Sequence, residues 1–291
     1  DISSRVKELP KVSTTQTPYV LTLLSETALS AKFLNQLISL LNDSQLQVHG
    51  LARLSEKTLR TVEMNVSSDH ALDAEQVRQF RTALYQFGKA HSVDVAIQPE
   101  SVLRRAKRLV VMDMDSTLIQ QEVIDELARY AGVFEKVQEI THRAMGGSMD
   151  FNTSLQLRVS MLEGSPASTF KQVIDNLVYT DGVKELCRAL KRLGYKLAVI
   201  SGGFTAITDH VRQALNLDYS FANTLEIGED GNFTGKTRGP IVNAQRKADL
   251  LLTIAQQENI TSDQVIAIGD GANDLPMLGT AGLGIAFNAK P

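Results

Sequence analysis

The sequence predicts an α/β protein in two parts, from three observations. Short unbroken apolar runs recur at Leu109–Met112, Leu197–Ile200, Val265–Ile268 and Leu283–Phe287, as expected of strands buried on both faces of a parallel sheet. Amphipathic helical patterns separate these runs, which is the alternation of a parallel sheet covered by helices. The first hundred residues differ: half-buried, alternating strand patterns surround two amphipathic stretches in the order βαββαβ. The expected architecture is therefore a Rossmann-like parallel sheet core with an inserted helical cap, preceded by a ferredoxin-like βαββαβ domain.

Residues 1–17 are polar and read as a flexible lead-in. The smaller domain is expected over 18–98. Its elements are a strand at Tyr19–Leu24, a helix over 29–41 (Phe33, Leu34, Leu37, Ile38, Leu41), strands at Leu46–Leu51 and Leu59–Val66, a helix over about 73–91 (Val77, Phe80, Leu84, Phe87), and a strand at Val93–Ile97. Residues 99–107 read as a linker, and the basic cluster Arg104, Arg105, Lys107 and Arg108 as solvated. The larger domain is expected over 108–291. Its stretch from about 120 to 178 carries no strand pattern and reads as helices broken at Gly132, Gly146-Gly147 and Gly164-Ser165-Pro166. Inserted after the first strand, these helices would cap that strand's carboxyl end. A crossover helix follows, with Asp181 as N-cap, Val183, Leu186, Leu190 and Leu193 as its apolar stripe and Gly194 as C-cap. Cys187 shares that stripe and reads as core. The chain ends just after an apparent strand, so the native protein is expected to be longer.

Composition narrows the function. Hydrophobic residues make up 43% and charged residues 22%, with a formal net charge of −3, as in ordinary globular proteins. Residues 1–100 carry 10 Lys and Arg against 11 Asp and Glu, so neither part has the basic footprint of a nucleic-acid binder. No apolar run reaches the roughly 20 residues that span a bilayer. The single cysteine leaves no intrachain disulfide and no cysteine-based metal site. The cytoplasm is the expected compartment.

The first three buried runs end in groups that carry chemistry. Leu109–Met112 leads into Asp113-Met114-Asp115-Ser116-Thr117. Two acids spaced by two at the carboxyl end of a strand sit where α/β sheets bind ligands, and they repel unless a cation or a phosphoryl group is accommodated. An acidic turn is the plainer reading of that spacing by itself. Leu197–Ile200 leads into Ser201-Gly202-Gly203-Phe204-Thr205 ahead of a helix marked by Ile207, Val211 and Leu215. That is either a phosphate-binding turn of exposed amides or simply a tight connection. Val265–Ile268 leads into Gly269-Asp270-Gly271-Ala272-Asn273-Asp274, an acid cluster or an ordinary turn. Lys247 is expected to open a helix over Ala248–Glu258, where a lysine is mildly misplaced against the helix dipole and so hints at an anion. Converging at one sheet edge, these pieces suit one divalent cation and one phosphoryl group. None of the five histidines has a metal-ligand partner at short spacing.

In this order, Asp-x-Asp-Ser-Thr, Ser-Gly-Gly, an isolated lysine and Gly-Asp-Gly-x-Asn-Asp resemble the haloacid dehalogenase superfamily of aspartate-nucleophile phosphatases, over about 109–291. Glu122, nine residues after Asp113, and Met145, Phe151 and Arg158 in the cap are similar to the phosphoserine phosphatase family within it. The N-terminal part resembles an ACT-type domain, although Ser25-Glu26-Thr27-Ala28-Leu29 lacks the glycine that commonly shapes the effector turn.

The resemblance implies the following roles. Asp113 is the nucleophile, and Asp115 is the acid and base. Mg²⁺ is held by the Asp113 carboxylate, the Asp115 backbone carbonyl and Asp270, with Asp274 and Asn273 orienting that shell. Ser201, Gly202 and Lys247 hold the phosphoryl group. Glu122 takes a substrate ammonium and Arg158 its carboxylate, while Met145 and Phe151 shield the site. The implied reaction is hydrolysis of O-phospho-L-serine, the last step of serine biosynthesis, and paired ACT-type units would make a homodimer. Other readings remain open: a phosphatase or phosphotransferase for another small phosphomonoester, a phospho-accepting switch, against which Asp115 speaks, and an amino-acid-sensing regulatory protein.

Overall fold

The computed structural model describes residues 17–145 and 149–289. The chain divides into two compact units that meet in sequence between Val102 and Leu103.

The first unit runs β1 (Thr17–Ser25), α1 (Ala31–Asp43), β2 (Leu46–Arg53), β3 (Thr61–Ser68), α2 (Ala74–His91) and β4 (Val93–Pro99). Its sheet has the order β2-β3-β1-β4 with every neighbouring pair antiparallel, which is the expected split βαβ arrangement. Alternation along β1 and β3 buries Leu21, Leu23, Val62 and Met64 completely against Leu37 and Leu41 of α1 and Leu84 of α2. Ser30 caps α1 by accepting the Phe33 N–H at 3.1 Å, and Asp73 with Gln76 forms a reciprocal capping box on α2. At Gly88 a Cβ would lie 2.3 Å from the Val93 carbonyl, so only glycine lets α2 turn back this tightly into β4. The lead-in expected at the start lies outside the described residues, save for Thr17, which begins β1.

A short helix, α3 (Val102–Arg105), interrupts the segment read as a linker. The basic cluster there is not uniformly solvated. Lys107 is 8% exposed and its Nζ donates to the Asp263 carbonyl at 2.5 Å; burial pulls its pKa down.

The second unit begins with β5 (Leu109–Met112), whose four residues are all buried. The cap helices follow: α4 (Val123–Tyr130), α5 (Phe134–Met145), α6 (Phe151–Ser160) and α7 (Thr169–Asp175). The breaks at Gly132 and Gly164 have φ of +71° and +79°, which glycine adopts without penalty; the Gly146-Gly147 break lies outside the described residues. Then come α8 (Val183–Arg192), β6 (Lys196–Phe204), α9 (Thr205–Leu215), β7 (Tyr219–Ile227), β8 (Phe233–Arg238), α10 (Ala244–Gln257), β9 (Val265–Gly269), α11 (Leu275–Thr280) and β10 (Leu283–Ala286). The sheet order is β10-β9-β5-β6-β7-β8, parallel except for the β7–β8 pair. β5 lies between β9 and β6, so the carboxyl ends carrying Asp113, Asp270 and Ser201 are side by side.

Four local expectations are corrected. The N-cap of α8 is Gly182 rather than Asp181, because Gly182 takes φ +80° there, and Leu193 stands at the C-cap one residue before Gly194. Its buried stripe is Val183 and Cys187; Leu186 and Leu193 are 46% and 71% exposed. Ser201-Gly202-Gly203 is not a turn but continues β6, with an irregular register against β7 between Ile200 and Phe204. Finally, α10 starts at Ala244 under an Asn243 cap, which sets Lys247 one turn inside the helix.

β7 and β8 had no counterpart in the apolar-run pattern, since their polar residues Ser220, Asn223, Thr224 and Thr234 interrupt the apolar ones. Their hairpin supports the cap. Gly235 at φ +74° comes so close to α6 that a Cβ would lie 3.3 Å from Ser160 Cα, and Phe233 meets the Phe170 ring edge-on at 5.1 Å.

Candidate active site

One cleft gathers most of the residues singled out from the sequence. Asp113, Asp115, Glu122, Phe151, Arg158, Ser201, Gly202, Asp270 and Asn273 all line a space of about 100 Å³. Lys247 and Asp274 are 1% and 0% exposed, and Lys247 pairs with both Asp274 and Asp113. Met145 ends α5, and its side chain lies outside what is described.

The floor is built from strand ends. Asp113 follows the buried β5, and its backbone N–H donates to the Ile268 carbonyl of β9 at 2.9 Å, so the strand pairing itself fixes it. Its Oδ1 accepts from the Met114 N–H at 2.7 Å and from Lys247 Nζ at 2.9 Å. Among the described residues no donor reaches Oδ2. Burial and the nearby Asp274 charge push the Asp113 carboxyl up to about 7, against the pull of Lys247. Asp115 is held at Oδ2 by the Val123 N–H at 3.2 Å, while its Oδ1 is buried with no hydrogen-bond partner among the described residues. Burial, then Glu122 and Asp113, raise its pKa well above the usual carboxylate range. These neighbours favour a protonated Asp115.

Lys247 is the cation of this floor. Its ammonium lies 2.9 Å from Asp113 Oδ1 and 2.7 Å from Asp274 Oδ1. Burial alone would lower its pKa, but the two carboxylates outweigh it and hold it raised. Asp274 is fully engaged, since its Oδ2 accepts the Gly271 N–H at 3.1 Å. Close approach dictates the flanking glycine: a Cβ at Gly269 would lie 2.4 Å from the Asp274 carboxyl carbon. Asp270 Oδ1 accepts the Thr117 hydroxyl at 3.4 Å, and burial raises the pKa of this carboxyl.

Carboxylate oxygens of Asp113, Asp270 and Asp274 lie within 4.8 Å of one another. With Asp115, four acids face one lysine. This surplus of hard oxygen donors fits a small divalent cation.

Ser201 closes the floor. Its Oγ accepts the Gly203 N–H at 2.8 Å and keeps its own hydrogen for another partner. Asn223 on β7 holds this strand end in place: its Nδ2 donates to the Gly202 carbonyl at 2.7 Å and its Oδ1 accepts the Val242 N–H at 2.8 Å.

The roof comes from the cap. Phe151 begins α6 and sits against Gly202, where a Cβ would lie 3.0 Å from its ring. Arg158, on the same helix, is half-buried; its Nε donates to the Ser154 carbonyl at 3.3 Å. Burial lowers its pKa, and Asp125, Glu122 and Asp115 oppose that shift. Glu122 stands at the N-cap of α4 and accepts the Ser116 hydroxyl at 2.8 Å.

Gly203, Ile124 and Leu155 also line the cleft, and none was singled out from the sequence. Gly203 was legible in its Gly-Gly context. Ile124 and Leu155 carry no signal beyond apolar spacing, and Asn223 lies on a strand that the pattern did not reveal.

A parallel α/β core with a helical cap over an acid-lined cleft at its strand ends is a capped, Rossmann-like architecture with its site at the sheet's carboxyl edge. The family profile described as haloacid dehalogenase-like hydrolase matches residues 107–282, and the chain belongs to that family. A phosphoserine phosphatase of Archaeoglobus fulgidus is 47% identical over 218 residues, which cover 75% of this chain and 62% of that protein. The chain thus spans about three fifths of the length of the curated relatives that it matches first. Among solved structures, a HAD family hydrolase from Salmonella enterica serovar Typhi superposes with a TM-score of 0.76 at 32% identity, covering 94% of this chain and 90% of the other. A probable phosphoserine phosphatase from Vibrio cholerae gives 0.68 at 36% identity, covering 97% and 82%.

Proposed function

We propose that this protein is an Mg²⁺-dependent phosphoserine phosphatase that hydrolyses O-phospho-L-serine to L-serine and phosphate. The observation that carries the reading is the contrast between the two floor acids. Among the described residues, Asp113 has Oδ1 held by Lys247 and the Met114 amide while no donor reaches Oδ2, and Asp115 keeps a buried oxygen without a partner on a carboxyl of raised pKa. One acid is thus suited to attack and the other to deliver a proton.

In this reading Asp113 Oδ2 attacks phosphorus and the bond to the serine oxygen breaks, leaving an aspartyl phosphate. Asp115 gives its proton to the departing serine oxygen. The same residue then takes a proton from the water that attacks phosphorus, releasing phosphate and restoring Asp113. Ser201, the Gly202 amide and Lys247 hold the phosphoryl oxygens against the charge that develops. Asp113, Asp270 and the Asp115 carbonyl would hold Mg²⁺, with Asn273 and Asp274 orienting that shell. Bound there, the cation neutralises phosphoryl charge.

Arg158 is assigned to the substrate carboxylate, where a guanidinium can pair with both oxygens, and Glu122 to the ammonium. Phe151, and Met145 by resemblance, shield the site from water. The N-terminal unit is read as an ACT-type domain, through which a homodimer would form, and the enzyme as cytoplasmic and acting last in serine biosynthesis.

Phosphate release measured across phosphomonoesters, with and without Mg²⁺, tests the reading. O-phospho-L-serine should exceed phosphoethanolamine and phosphoglycolate in kcat/KM, and chelation should abolish turnover. Equal rates on all three would overturn the substrate, and metal-independent turnover would overturn the cofactor.

A further inference from the structure

Glu122 poses a positioning problem. It stands at the N-cap of α4 with extended backbone (φ −96°, ψ 110°), yet its side chain makes no capping hydrogen bond. Ser116 helps locate it, donating its hydroxyl to Oε1 at 2.8 Å. Ser116 itself sits at φ +55°, a conformation that a non-glycine residue keeps only when its surroundings enforce it. Its backbone N–H points to the Gln121 carbonyl at 3.4 Å.

Gln121 is in turn fastened to the chain returning from the cap. Its Nε2 donates to the Asn176 carbonyl at 2.8 Å, and its Oε1 accepts the Val178 N–H at 3.0 Å. Just before it, backbone bonds join the same two segments: Thr180 N–H to the Leu118 carbonyl at 3.0 Å, and Gln120 N–H to the Val178 carbonyl at 2.9 Å. The outgoing and returning crossings between core and cap thus form a short antiparallel ladder, and the Gln121 amide supplies its last rung. That rung needs one donor and one acceptor on the same side chain, which a carboxamide provides.

We infer that Gln121 is a positioning residue that fixes Glu122 for the ammonium group of the substrate. The inference rests on the reading of Glu122 given above. Gln121 touches no reacting atom. Its side chain ties down the backbone immediately before Glu122, and its carbonyl holds the Ser116 turn whose hydroxyl donates to the Glu122 carboxylate. Loss of the clamp frees both ends of that small ring, and a directional hydrogen bond weakens steeply with such misplacement.

The test compares O-phospho-L-serine with phosphoglycolate, which has the phosphate and carboxylate but no ammonium, on the wild-type chain and on Gln121→Ala and Gln121→Glu. Gln121→Ala should raise KM for phosphoserine about tenfold, with kcat and both phosphoglycolate constants held within about twofold. Gln121→Glu keeps the acceptor for Val178 but sets a carboxylate oxygen against the Asn176 carbonyl, so it should raise the phosphoserine KM at least as far as alanine does. A merely structural role would lower both substrates alike. Equal loss on both, or no loss with either variant, overturns the inference. If Gln121→Ala fails to fold, the nearly isosteric Gln121→Glu decides alone: a selective rise in the phosphoserine KM supports the inference and an unchanged one overturns it. A wild-type chain that does not prefer phosphoserine over phosphoglycolate overturns the reading of Glu122 itself, and the wild-type arm alone reveals that.

Discussion

The floor and the roof of the cleft are built on opposite terms. On the floor, Asp113, Ser201, Lys247 and Asp274 are each no more than 4% exposed and are held by strand pairing, by a buried lysine and by backbone amides. On the roof, Glu122 is exposed and Phe151 and Arg158 half-buried, carried on helices joined to the core by two chain crossings. Rigid, desolvated groups suit bond making and breaking, because their charges are pre-oriented in a low dielectric. Groups that keep some access to solvent suit selection among substrates. Floor substitutions should therefore harm every substrate, and roof substitutions only some.

Asp113→Asn should break the floor most severely, lowering kcat by about 10³-fold or more on every phosphomonoester; a variant that keeps turnover would contradict the division. Arg158→Ala should act on the roof alone. Its kcat/KM for phosphoserine should fall by about 10²-fold, the loss expected when one partner of a charged pair is removed, while phosphoethanolamine, which has no carboxylate, changes little. Comparable losses on both substrates would merge roof with floor.

The smallest effect sharpens the floor through its titration. The Asp113 carboxyl is pushed up to about 7 from an ordinary 3.8, and those of Asp115 and Asp270 are also raised. The folded chain therefore binds protons that the unfolded chain has released, and stability falls as pH rises through that window. The raised pKa of Lys247 does not offset this, since a lysine stays protonated across it in both states. Thermal scans of the metal-free protein should show a midpoint several degrees lower at about pH 8 than at about pH 5, with Mg²⁺ recovering much of the difference. A midpoint that rises with pH would contradict this electrostatic account.

The floor was also the more legible region. Strands buried on both faces announce themselves as apolar runs, and the acids after Met112 and Gly269 stand out against them. Less visible was how far each element extends. Gly202 and Gly203 look like a turn, yet neighbouring strands carry β6 through them to Phe204. Lys247 looked like a helix start facing an anion, whereas the structure sets it one turn inside the helix and seals it between two carboxylates from distant strand ends. The hairpin that supports α6 was invisible because its strands are half polar, and the Gln121 clamp because its partners lie more than fifty residues away. Local pattern reveals burial, whereas partners distant in sequence emerge only on folding.

The central claim is that Asp113 is the atom donor of the attack, and trapping the phosphoryl group tests it most directly. Wild-type chain mixed with O-phospho-L-serine and Mg²⁺, quenched in acid within the first turnover and digested, should carry a phosphoryl group on the peptide containing Asp113, and Asp113→Asn should carry none. A phosphoryl group found on another residue, or full turnover with no label on that peptide at any time, would contradict the account.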